Sequence, residues 1–361
     1  MSLTKKIKIK TKKTVKKVSS KSKAKLKVKK GKLSELRQDL VSGDWVVIAN
    51  SRGKRPDAFR ATKDLTENSS EEDCFFCDPV ASKQEKDVLI YNTADNDWSL
   101  RVFPNKYPAF SRPTGGKIQH QEEGPYFWMD GVGYHEVIVT RDHFERIGMM
   151  DNFKVAEIFD AFQTRYLDLM NKKSVRYIEI FHNQGKLAGG SVFHPHSQLA
   201  AIPVISPYLN LELRGAEEYY KANKKCVFCN MIEWEKDEDK RIIFENDKFI
   251  AFCPFASRKA FEVWVLPKDH QPYFERIEIE DKIQVGEALN EAIRKINTVL
   301  NDPAYNFYLH TSPCDGKHYS HYHWHIEILP KTSIWAGFEL STGIEISAIE
   351  PEKAAEALKD A

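Results

Sequence analysis

Four of the six cysteines form two Cys-x-x-Cys pairs, and histidines follow each pair at comparable distances. The pairs read CFFC and CVFC, and after each come an Asp-His and then a His-x-His. A single Cys-x-x-Cys motif also fits a redox dithiol. Two thiolates together with two imidazoles, however, make the ligand set that tetrahedral Zn²⁺ favours. The repetition therefore predicts two closed, structural zinc sites. The expected ligands are Cys74, Cys77, His143 and His194 in the first site, and Cys226, Cys229, His270 and one of His321, His323 or His325 in the second.

The first His-x-His, in FHPHSQ, places His194 and His196 two residues apart. On a β-strand such residues face the same side, so a metal ligand at His194 would hold His196 beside the metal without making it a fifth ligand. A neutral imidazole fixed in that place is a candidate nucleophile. Two zinc ligands, or a histidine of the core, are the alternatives that this spacing leaves open.

Small and uncharged residues surround this pair. Gly189 and Gly190 permit close approach of the backbone to a bulky anion, and Ser191 and Gln198 offer uncharged hydrogen-bond donors. Such donors are suited to orienting phosphoryl oxygens. The stretch around His196 therefore indicates chemistry at a phosphate group.

The elements that must position these residues occur twice. YHEVIVTRDHFERI at 134–147 and AFEVWVLPKDHQPYFERI at 260–277 both read as a strand followed by Asp-His and Phe-Glu-Arg-Ile. Apolar residues with helical spacing follow at 154–173 and at 282–301. An apolar strand and a His-x-His strand then complete each copy.

This duplication predicts the fold class. We expect an α+β fold of two tandem domains, each a mostly antiparallel sheet packed on a long helix, at 33–205 and 206–361. The 361-residue chain, with 42% hydrophobic residues, is long enough for two such domains. It has neither a run of roughly 18 apolar residues nor an apolar segment behind N-terminal charges. We therefore expect a soluble, cytoplasmic protein without membrane contact.

The N-terminal 32 residues differ from the rest of the chain in charge. They contain 15 lysines and no acidic residue, so that, of a total of +2, the remainder carries −13. Such a segment is typical of a disordered basic arm. It would contact RNA, DNA or another anionic surface weakly by neutralising phosphates, or would serve as a solubilising tail.

The sequence GSVFHPHSQ resembles the His-x-His-x-Gln motif of the nucleotidyltransferase branch of the histidine-triad superfamily. Over 33–361 the chain is similar to the galactose-1-phosphate uridylyltransferase family, which includes the related ADP-glucose phosphorylase. The stretches that carry this resemblance are ELRQDLVSGDWVVIANSRGKRP, CFFC, LRVFPNKYPAF, FHNQGKLAGGSVFHPHSQ and AGFELSTGIEI.

This resemblance implies a histidine-triad fold for each domain and a ping-pong reaction. His196 would attack the α-phosphorus of a nucleotide sugar, release sugar 1-phosphate and become a nucleotidyl-imidazole, from which a second sugar 1-phosphate or phosphate takes the nucleotide. Gln198 would hold the phosphoryl oxygens, with Ser191 and Asn183 alongside. Strand geometry suggests that the carbonyl of Pro195 or His194 anchors the second ring nitrogen of His196.

The resemblance also implies further contacts with substrate. Arg52, Arg55 and Asn105 would lie at the nucleotide, where arginines suit bidentate phosphate contacts. Glu339 would contact sugar hydroxyls, and Phe338 beside it stands where a tyrosine is often found. The implied partners are a nucleotide sugar and a hexose 1-phosphate, and relatives suggest a homodimer by analogy.

The second half departs from the motif. Alignment of HWHIE with HPHSQ places His323 at the zinc position, His325 at the nucleophile position and Glu327 where Gln198 stands. Counting back from Pro330 gives His321 as the ligand instead, and we prefer His323. A carboxylate at Glu327 would repel a phosphate, so this copy is expected to be structural.

The leading hypothesis is an enzyme of galactose metabolism that exchanges a nucleoside monophosphate between a nucleotide sugar and a hexose 1-phosphate, of the UDP-glucose–hexose-1-phosphate uridylyltransferase type. One alternative is an ADP-sugar phosphorylase or adenylyltransferase of the same family. A third hypothesis is a zinc-stabilised nucleic-acid-binding protein that uses the lysine-rich arm.

Overall fold

The computed structural model describes residues 33–49, 52, 70–114 and 118–361. The strands are β1 (Glu35–Gln38), β2 (Trp45–Ile48), β3 (Leu89–Asn92), β4 (Trp98–Pro104), β5 (His120–Glu123), β6 (Tyr126–Met129), β7 (Tyr134–Thr140), β8 (Tyr177–Gln184), β9 (His196–Ile202), β10 (Ile242–Glu245), β11 (Phe249–Phe252), β12 (Val263–Pro267), β13 (Tyr305–His310), β14 (His325–Pro330) and β15 (Glu345–Ser347). The α-helices are α1 (Asn152–Leu169), α2 (Pro207–Asn223), α3 (Val227–Glu238), α4 (Ile279–Leu300), α5 (Gly337–Thr342) and α6 (Pro351–Lys359).

A ten-stranded sheet, in the order β10-β11-β12-β14-β13-β8-β9-β7-β4-β3, runs through both halves. Its pairings are antiparallel, and the strand order of the first half repeats in the second half from the opposite edge. The halves meet at β8 and β13, where Asn183 lies opposite Asn306. The α+β class is therefore confirmed, with the two repeats joined edge to edge. The boundary predicted at 205–206 lies in the link between β9 and α2.

The two long helices, α1 and α4, cover one face of this sheet. Asp151 caps α1 by accepting a hydrogen bond from the Lys154 N–H at 3.0 Å, which satisfies one of the free donors of the first turn. Its buried side chains recur at helical spacing from Val155 to Leu169 and join the main hydrophobic core. A Cβ at Gly286 of α4 would approach the Ala156 nitrogen to 3.1 Å, so the glycine permits close packing of the two helices.

The opposite face of the sheet carries the chemistry. Because side chains alternate along a strand, Leu199 and Ala201 of β9 enter the core under α1, whereas His196 and Gln198 point to the other side. We call this side the polar face. In the second half α2 and α3 cover it, through a hydrophobic cluster that includes Leu213 and Trp264. In the first half the loop that carries the first Cys-x-x-Cys packs on the polar face of β4 and β7.

Two smaller sheets complete the described ranges. β15 pairs in parallel with β2, which is antiparallel to β1, and β5 and β6 form a separate hairpin. Arg37 of β1 donates to Glu352 of α6 at 2.9 Å and so ties the three-stranded sheet to the C-terminal helix. Among the helices described, none has the length and apolar character that spanning a membrane requires.

Candidate active site and metal centres

Cys74, Cys77, His143 and His194 converge at one end of the first half. The Sγ atom of Cys77 lies 3.2 Å from Nδ1 of His143 and 3.4 Å from Nδ1 of His194, and Sγ of Cys74 lies 3.5 Å from the same His194 nitrogen. All four ligand atoms lie within 4.8 Å of one another. The turn after the 3₁₀-helix Glu71–Asp73 brings in the two thiols, and the ends of β7 and β9 bring in the two rings. This group could hold a metal ion.

The ring of His194 is oriented for that role. Its Nε2 lies 2.7 Å from the Thr140 carbonyl oxygen and donates to it, which leaves Nδ1 unprotonated and facing the thiols. Burial, with the neighbouring Cys74 thiol, raises the pKa of Cys77 to about 12. A bound cation would reverse that shift, because thiolates are stabilised by positive charge. The donor set and its orientation therefore fit Zn²⁺.

Cys226, Cys229, His270 and His323 form an equivalent group in the second half. Sγ of Cys229 lies 3.4 Å from Nδ1 of His270 and 3.6 Å from Nδ1 of His323. The Nε2 atoms of these rings donate to carbonyl oxygens, at 2.8 Å to Ser320 and at 3.0 Å to Pro267. The structure thus brings His323 into this group, and neither of the neighbouring histidines of the HYHWH stretch belongs to it.

His196 begins β9 and is 8% exposed. Its Nδ1 lies 2.9 Å from the carbonyl oxygen of His194 and donates to it, so that the anchor is His194 and not Pro195. Burial lowers the pKa of His196, which favours the neutral ring with its lone pair on Nε2. Phe76 packs edge-on against the imidazole with ring centroids 5.1 Å apart. Within the described part of the chain, no residue forms a hydrogen bond with Nε2.

Gln198 is held by a histidine that sequence analysis did not single out. The Ala109 N–H donates to Nδ1 of His135 at 3.2 Å, so the proton of the neutral ring lies on Nε2. That nitrogen donates to Oε1 of Gln198 at 2.9 Å. Because the amide oxygen is occupied, the NH₂ group of Gln198 is the end that can donate to a phosphoryl oxygen. Burial lowers the pKa of His135 and keeps this arrangement uncharged.

Asn183 lies beside His196 on the polar face. The register that pairs His182 with Ser197 puts Asn183 opposite His196 on the neighbouring strand. Asn306 donates to Oδ1 of Asn183 at 2.7 Å and to the Ala188 carbonyl at 2.8 Å, so both of its amide hydrogens are engaged. The Asn183 amide therefore directs its NH₂ group away from Asn306.

The glycine-rich loop that precedes His196 is closely packed on β8. A Cβ at Gly190 would lie 2.9 Å from the Asn183 carbonyl oxygen, a contact too short for any residue but glycine. Gly189 has a φ of +88°, in the left-handed region that favours glycine. Ser191 follows in the same loop and is exposed.

The other predicted contact residues lie in different surroundings. Asn105 follows β4, and its backbone N–H donates to the His135 carbonyl at 2.8 Å, which places it next to the residue that holds Gln198. Glu339 is half-buried on α5 and accepts a hydrogen bond from the Ala336 N–H at 3.1 Å. Arg52 is exposed, and Arg55 lies outside the described residues, as does the lysine-rich segment 1–32.

The second His-x-His repeats the local geometry of the first but not its accessibility. Nδ1 of His325 donates to the His323 carbonyl at 3.1 Å, as His196 does to His194. Its Nε2, however, lies 3.4 Å from Oε1 of Glu327, and the ring is fully buried. Arg258 in turn pairs with Glu327 and with Glu262. This imidazole is therefore occupied by a charged network.

Two further side chains join that network and were not identified from the sequence. Oε2 of Glu212, on α2, lies 3.0 Å from Nδ1 of His310 in an ion pair, and these two residues with His325 and Glu327 place four ligand atoms within 4.8 Å. This third group could also hold a metal ion. Their sequence positions carry no spacing signal, since Glu212 lies on a helix and His310 ends a strand more than 90 residues later.

Comparison with known proteins agrees with this architecture. The family model described as galactose-1-phosphate uridyl transferase, N-terminal domain, matches residues 21–205, and the model of a domain of unknown function, DUF4921, matches 118–361. An ADP-glucose phosphorylase of Arabidopsis thaliana is 33% identical over 331 residues, which cover 90% of this chain and 92% of the relative. A galactose-1-phosphate uridylyltransferase of Thermotoga maritima is 26% identical over 337 residues, or 91% and 98% of the two chains.

Solved structures give the same result. The crystal structure of an ADP-glucose phosphorylase from Arabidopsis thaliana with bound ADP-glucose superposes with a TM-score of 0.77 at 30% identity, covering 91% of this chain and 99% of that one. A uridylyltransferase structure has a TM-score of 0.68 at 24% identity over 91% and 98% of the chains and shows the fold alone. This chain therefore belongs to the galactose-1-phosphate uridylyltransferase family and is an enzyme of the nucleotidyltransferase kind.

Proposed function

We propose that the protein transfers a nucleoside monophosphate from a nucleotide sugar to a hexose 1-phosphate through a covalent intermediate on His196. The observation that carries this proposal is the state of that imidazole. Its Nδ1 proton is held by the His194 carbonyl at 2.9 Å, and burial favours the neutral form. The Nε2 lone pair is thereby presented on the polar face, which is what a nucleophile at phosphorus requires.

In the first step the Nε2 lone pair would form a bond to the α-phosphorus. The bond from that phosphorus to the bridging oxygen breaks, and its electron pair leaves with the sugar 1-phosphate. The His194 carbonyl, which accepts from Nδ1, stabilises the positive charge that develops on the ring. In the second step a phosphate oxygen of the acceptor attacks the same phosphorus, and the neutral imidazole leaves.

Gln198 supports the transition state from the adjacent same-face position of β9. His135 fixes its amide oxygen at 2.9 Å, so that the NH₂ group is available to the phosphoryl oxygens in both steps. A preorganised neutral donor stabilises the extra negative charge without attracting the nucleotide so strongly in the ground state. Asn183 and Ser191 would donate from the neighbouring strand and loop.

The two Cys₂His₂ groups would hold Zn²⁺ and take no part in bond making. With four protein ligands each, they leave no position for water or substrate. Bound there, Zn²⁺ would supply fold stability only. In the first group Cys74, Cys77 and His194 would fix the start of β9, from which the His194 carbonyl anchors the nucleophile.

Donors labelled at the α-phosphate test this proposal directly. The protein is mixed with UDP-glucose or ADP-glucose without acceptor, and an acid-labile, alkali-stable label on the chain is expected that the His196→Ala variant lacks. Addition of hexose 1-phosphate should release the label as a new nucleotide sugar. Absence of the adduct with both donors, or its retention in His196→Ala, would contradict the mechanism.

An ADP-sugar phosphorylase is the second candidate, and the 33% identity to an ADP-glucose phosphorylase supports it about as well. The chemistry at His196 is the same, but the nucleotide is adenosine monophosphate and the acceptor is inorganic phosphate. The same labelled adduct distinguishes the two. Release by inorganic phosphate as ADP supports the phosphorylase, and release by hexose 1-phosphate supports the uridylyltransferase type.

Three expectations about the chain as a whole stay predictions. Weak nucleic-acid contact would depend on segment 1–32, and salt-sensitive binding of RNA or DNA that disappears on its deletion would support it. Analytical ultracentrifugation tests the homodimer suggested by relatives. Fractionation of cells tests the cytoplasmic location.

A further inference from the structure

A cavity of about 920 Å³ lies on the polar face where the two halves meet. Its near end includes Asn183, which is opposite His196 in the sheet register. Asn306 is opposite Asn183, and Leu329 is opposite Asn306, so one row of paired positions leads from the nucleophile to the far wall. Adjacent strands lie about 4.8 Å apart, which places the far wall on the order of 14 Å from His196. This distance is sufficient for a sugar to lie beyond the reacting phosphates.

Three cations line the cavity, and they are not equally neutralised. Arg258 pairs with Glu262 and Glu327 deep in the second half. At the far end Lys259 forms an ion pair of 2.6 Å with Glu345. Lys331 lies at the same end and forms no ion pair with any described carboxylate.

Among the described residues that line this end, Lys259 and Lys331 therefore face one carboxylate, Glu345, which is paired with Lys259, so Lys331 is a cation in excess. Burial, with the neighbouring Lys259, lowers the pKa of Lys331, and Glu345 opposes that shift. An ammonium group that is half-buried beside another cation is stabilised when an anion enters. Trp335, which stacks near the Lys259 ammonium at 5.3 Å, provides an apolar wall at the same end.

We infer that this cavity receives a sugar phosphate whose sugar carries a second anionic group, with Lys331 as the counter-ion of that group. The inference rests on the proposed function, because His196 defines which end of the ligand is the reacting phosphate. A sugar with a carboxylate or a second phosphate at the end remote from its anomeric phosphate matches the separation of the two charges. A neutral sugar would leave the excess charge of Lys331 uncompensated.

Binding measurements separate this inference from the catalytic proposal. Glucose 1-phosphate, glucose 1,6-bisphosphate and glucuronic acid 1-phosphate are titrated into the full chain by calorimetry at one ionic strength. We expect at least one of the two acidic ligands to bind about tenfold more tightly than glucose 1-phosphate, because it gains a charge-assisted contact. The bisphosphate and the uronate distinguish a phosphate from a carboxylate at that position.

Variants assign the preference to Lys331. In Lys331→Gln the preference should fall below about twofold, and Lys331→Arg, which keeps the charge, should retain it. Lys317→Gln is the matched control, since Lys317 is exposed, is paired with Asp315 at 3.5 Å and does not line this cavity. Equal binding of all three ligands to the unmodified protein, or a preference that persists in Lys331→Gln, would overturn the inference.

The His196→Ala variant makes the two failures distinguishable. Since it keeps the cavity, the acidic ligand should still be preferred even if no nucleotidyl adduct is ever found on the unmodified protein. If the unmodified protein forms no adduct but still prefers the acidic ligand, only the proposed function is contradicted. If it forms the adduct but shows no preference for the acidic ligand, only the inference about the second anionic group is contradicted.

Discussion

The two His-x-His strands of this protein share a backbone arrangement and differ in what surrounds them. His196 and His325 each donate from Nδ1 to the carbonyl of the histidine two residues earlier, at 2.9 Å and 3.1 Å. Nε2 of His196 has no hydrogen-bond partner among the described residues, whereas Nε2 of His325 contacts Glu327. The same local geometry therefore accompanies a presented nucleophile in one half and an internal ion network in the other.

Coverage of the polar face explains the difference. α2 packs over the second half and inserts Glu212 beside His310, and Arg258 closes the network on Glu327. The equivalent side of β9 carries Gln198, held by the uncharged His135. A buried carboxylate needs a buried cation, which leaves no room for an anionic substrate, whereas a neutral amide can serve one. One substitution, Gln to Glu, thus accompanies a change of role for the whole half.

The largest difference in activity between the two halves is expected when the second histidine of each His-x-His pair is removed. His196→Ala should reduce nucleotidyl transfer by about 10⁵-fold or more, because the covalent route is lost. His325→Ala should leave transfer within a few-fold of the unmodified protein. Steady-state rates measure this contrast, with metal content by mass spectrometry as a control that should not change in His196→Ala. Comparable loss of activity in both variants would show that the second half takes part in catalysis.

The first histidine of each pair should act on metal content and stability. His194→Ala and His323→Ala are each expected to lower bound zinc by about one ion per chain. The free energy of unfolding should fall by at least about 3 kcal/mol, since structural Zn²⁺ contributes on the order of 10 kcal/mol to folding. Metal analysis with denaturant titration measures both. Full zinc content in His194→Ala would mean that the ring is not a ligand.

Glu327→Gln gives the second half the residue that the first half has at the equivalent position, Gln198. It should cost about 3 kcal/mol of unfolding free energy, because Arg258 loses one of its two buried carboxylates. Urea titration measures the change, and Glu218→Gln, at an exposed pair with Arg214 on α2, is a control that should alter stability by less than about 1 kcal/mol. Transfer activity near the unmodified level is expected, while a gain of nucleotidyl labelling at His325 would contradict the structural role of this half.

Gln198→Glu makes the reverse change. A carboxylate beside the α-phosphate removes a donor and adds repulsion, so kcat should fall by about 10²–10³-fold while zinc content stays the same. Rapid-quench measurement of adduct formation locates the loss in the chemical step. An unchanged rate of adduct formation would show that Gln198 does not contact the phosphoryl group.

His135→Phe should have the smallest effect. This change keeps an aromatic ring but removes the hydrogen bond from His135, and so frees the Gln198 amide to rotate. We expect a decrease of about tenfold in kcat with little change in KM, because positioning and not binding is lost. The double variant with Gln198→Ala should be no slower than Gln198→Ala alone. An additive loss would show that His135 acts independently of Gln198.

The sequence determined much of this protein by itself. Repeated Cys-x-x-Cys, Asp-His and His-x-His spacings predicted the α+β duplication, and the helices expected at 154–173 and 282–301 occur at Asn152–Leu169 and Ile279–Leu300. These features could be read because they are local: strand alternation, helical periodicity and metal-ligand spacing are properties of short stretches. For the same reason, strand geometry restricted the anchor of His196 to two carbonyl groups.

Only the tertiary structure decided which side chains meet across long separations. The contact of His135 with Gln198, the covering of the second half by α2, and the joining of both halves through β8 and β13 depend on how strands pair over 60 to 120 residues. The excess charge at Lys331 likewise arises because the end of β14, the loop before β12 and the start of β15 bring two lysines to one carboxylate. A chain folds its local elements from local preferences, but burial and charge at a site are set by which elements pack together, and no spacing in the sequence records that.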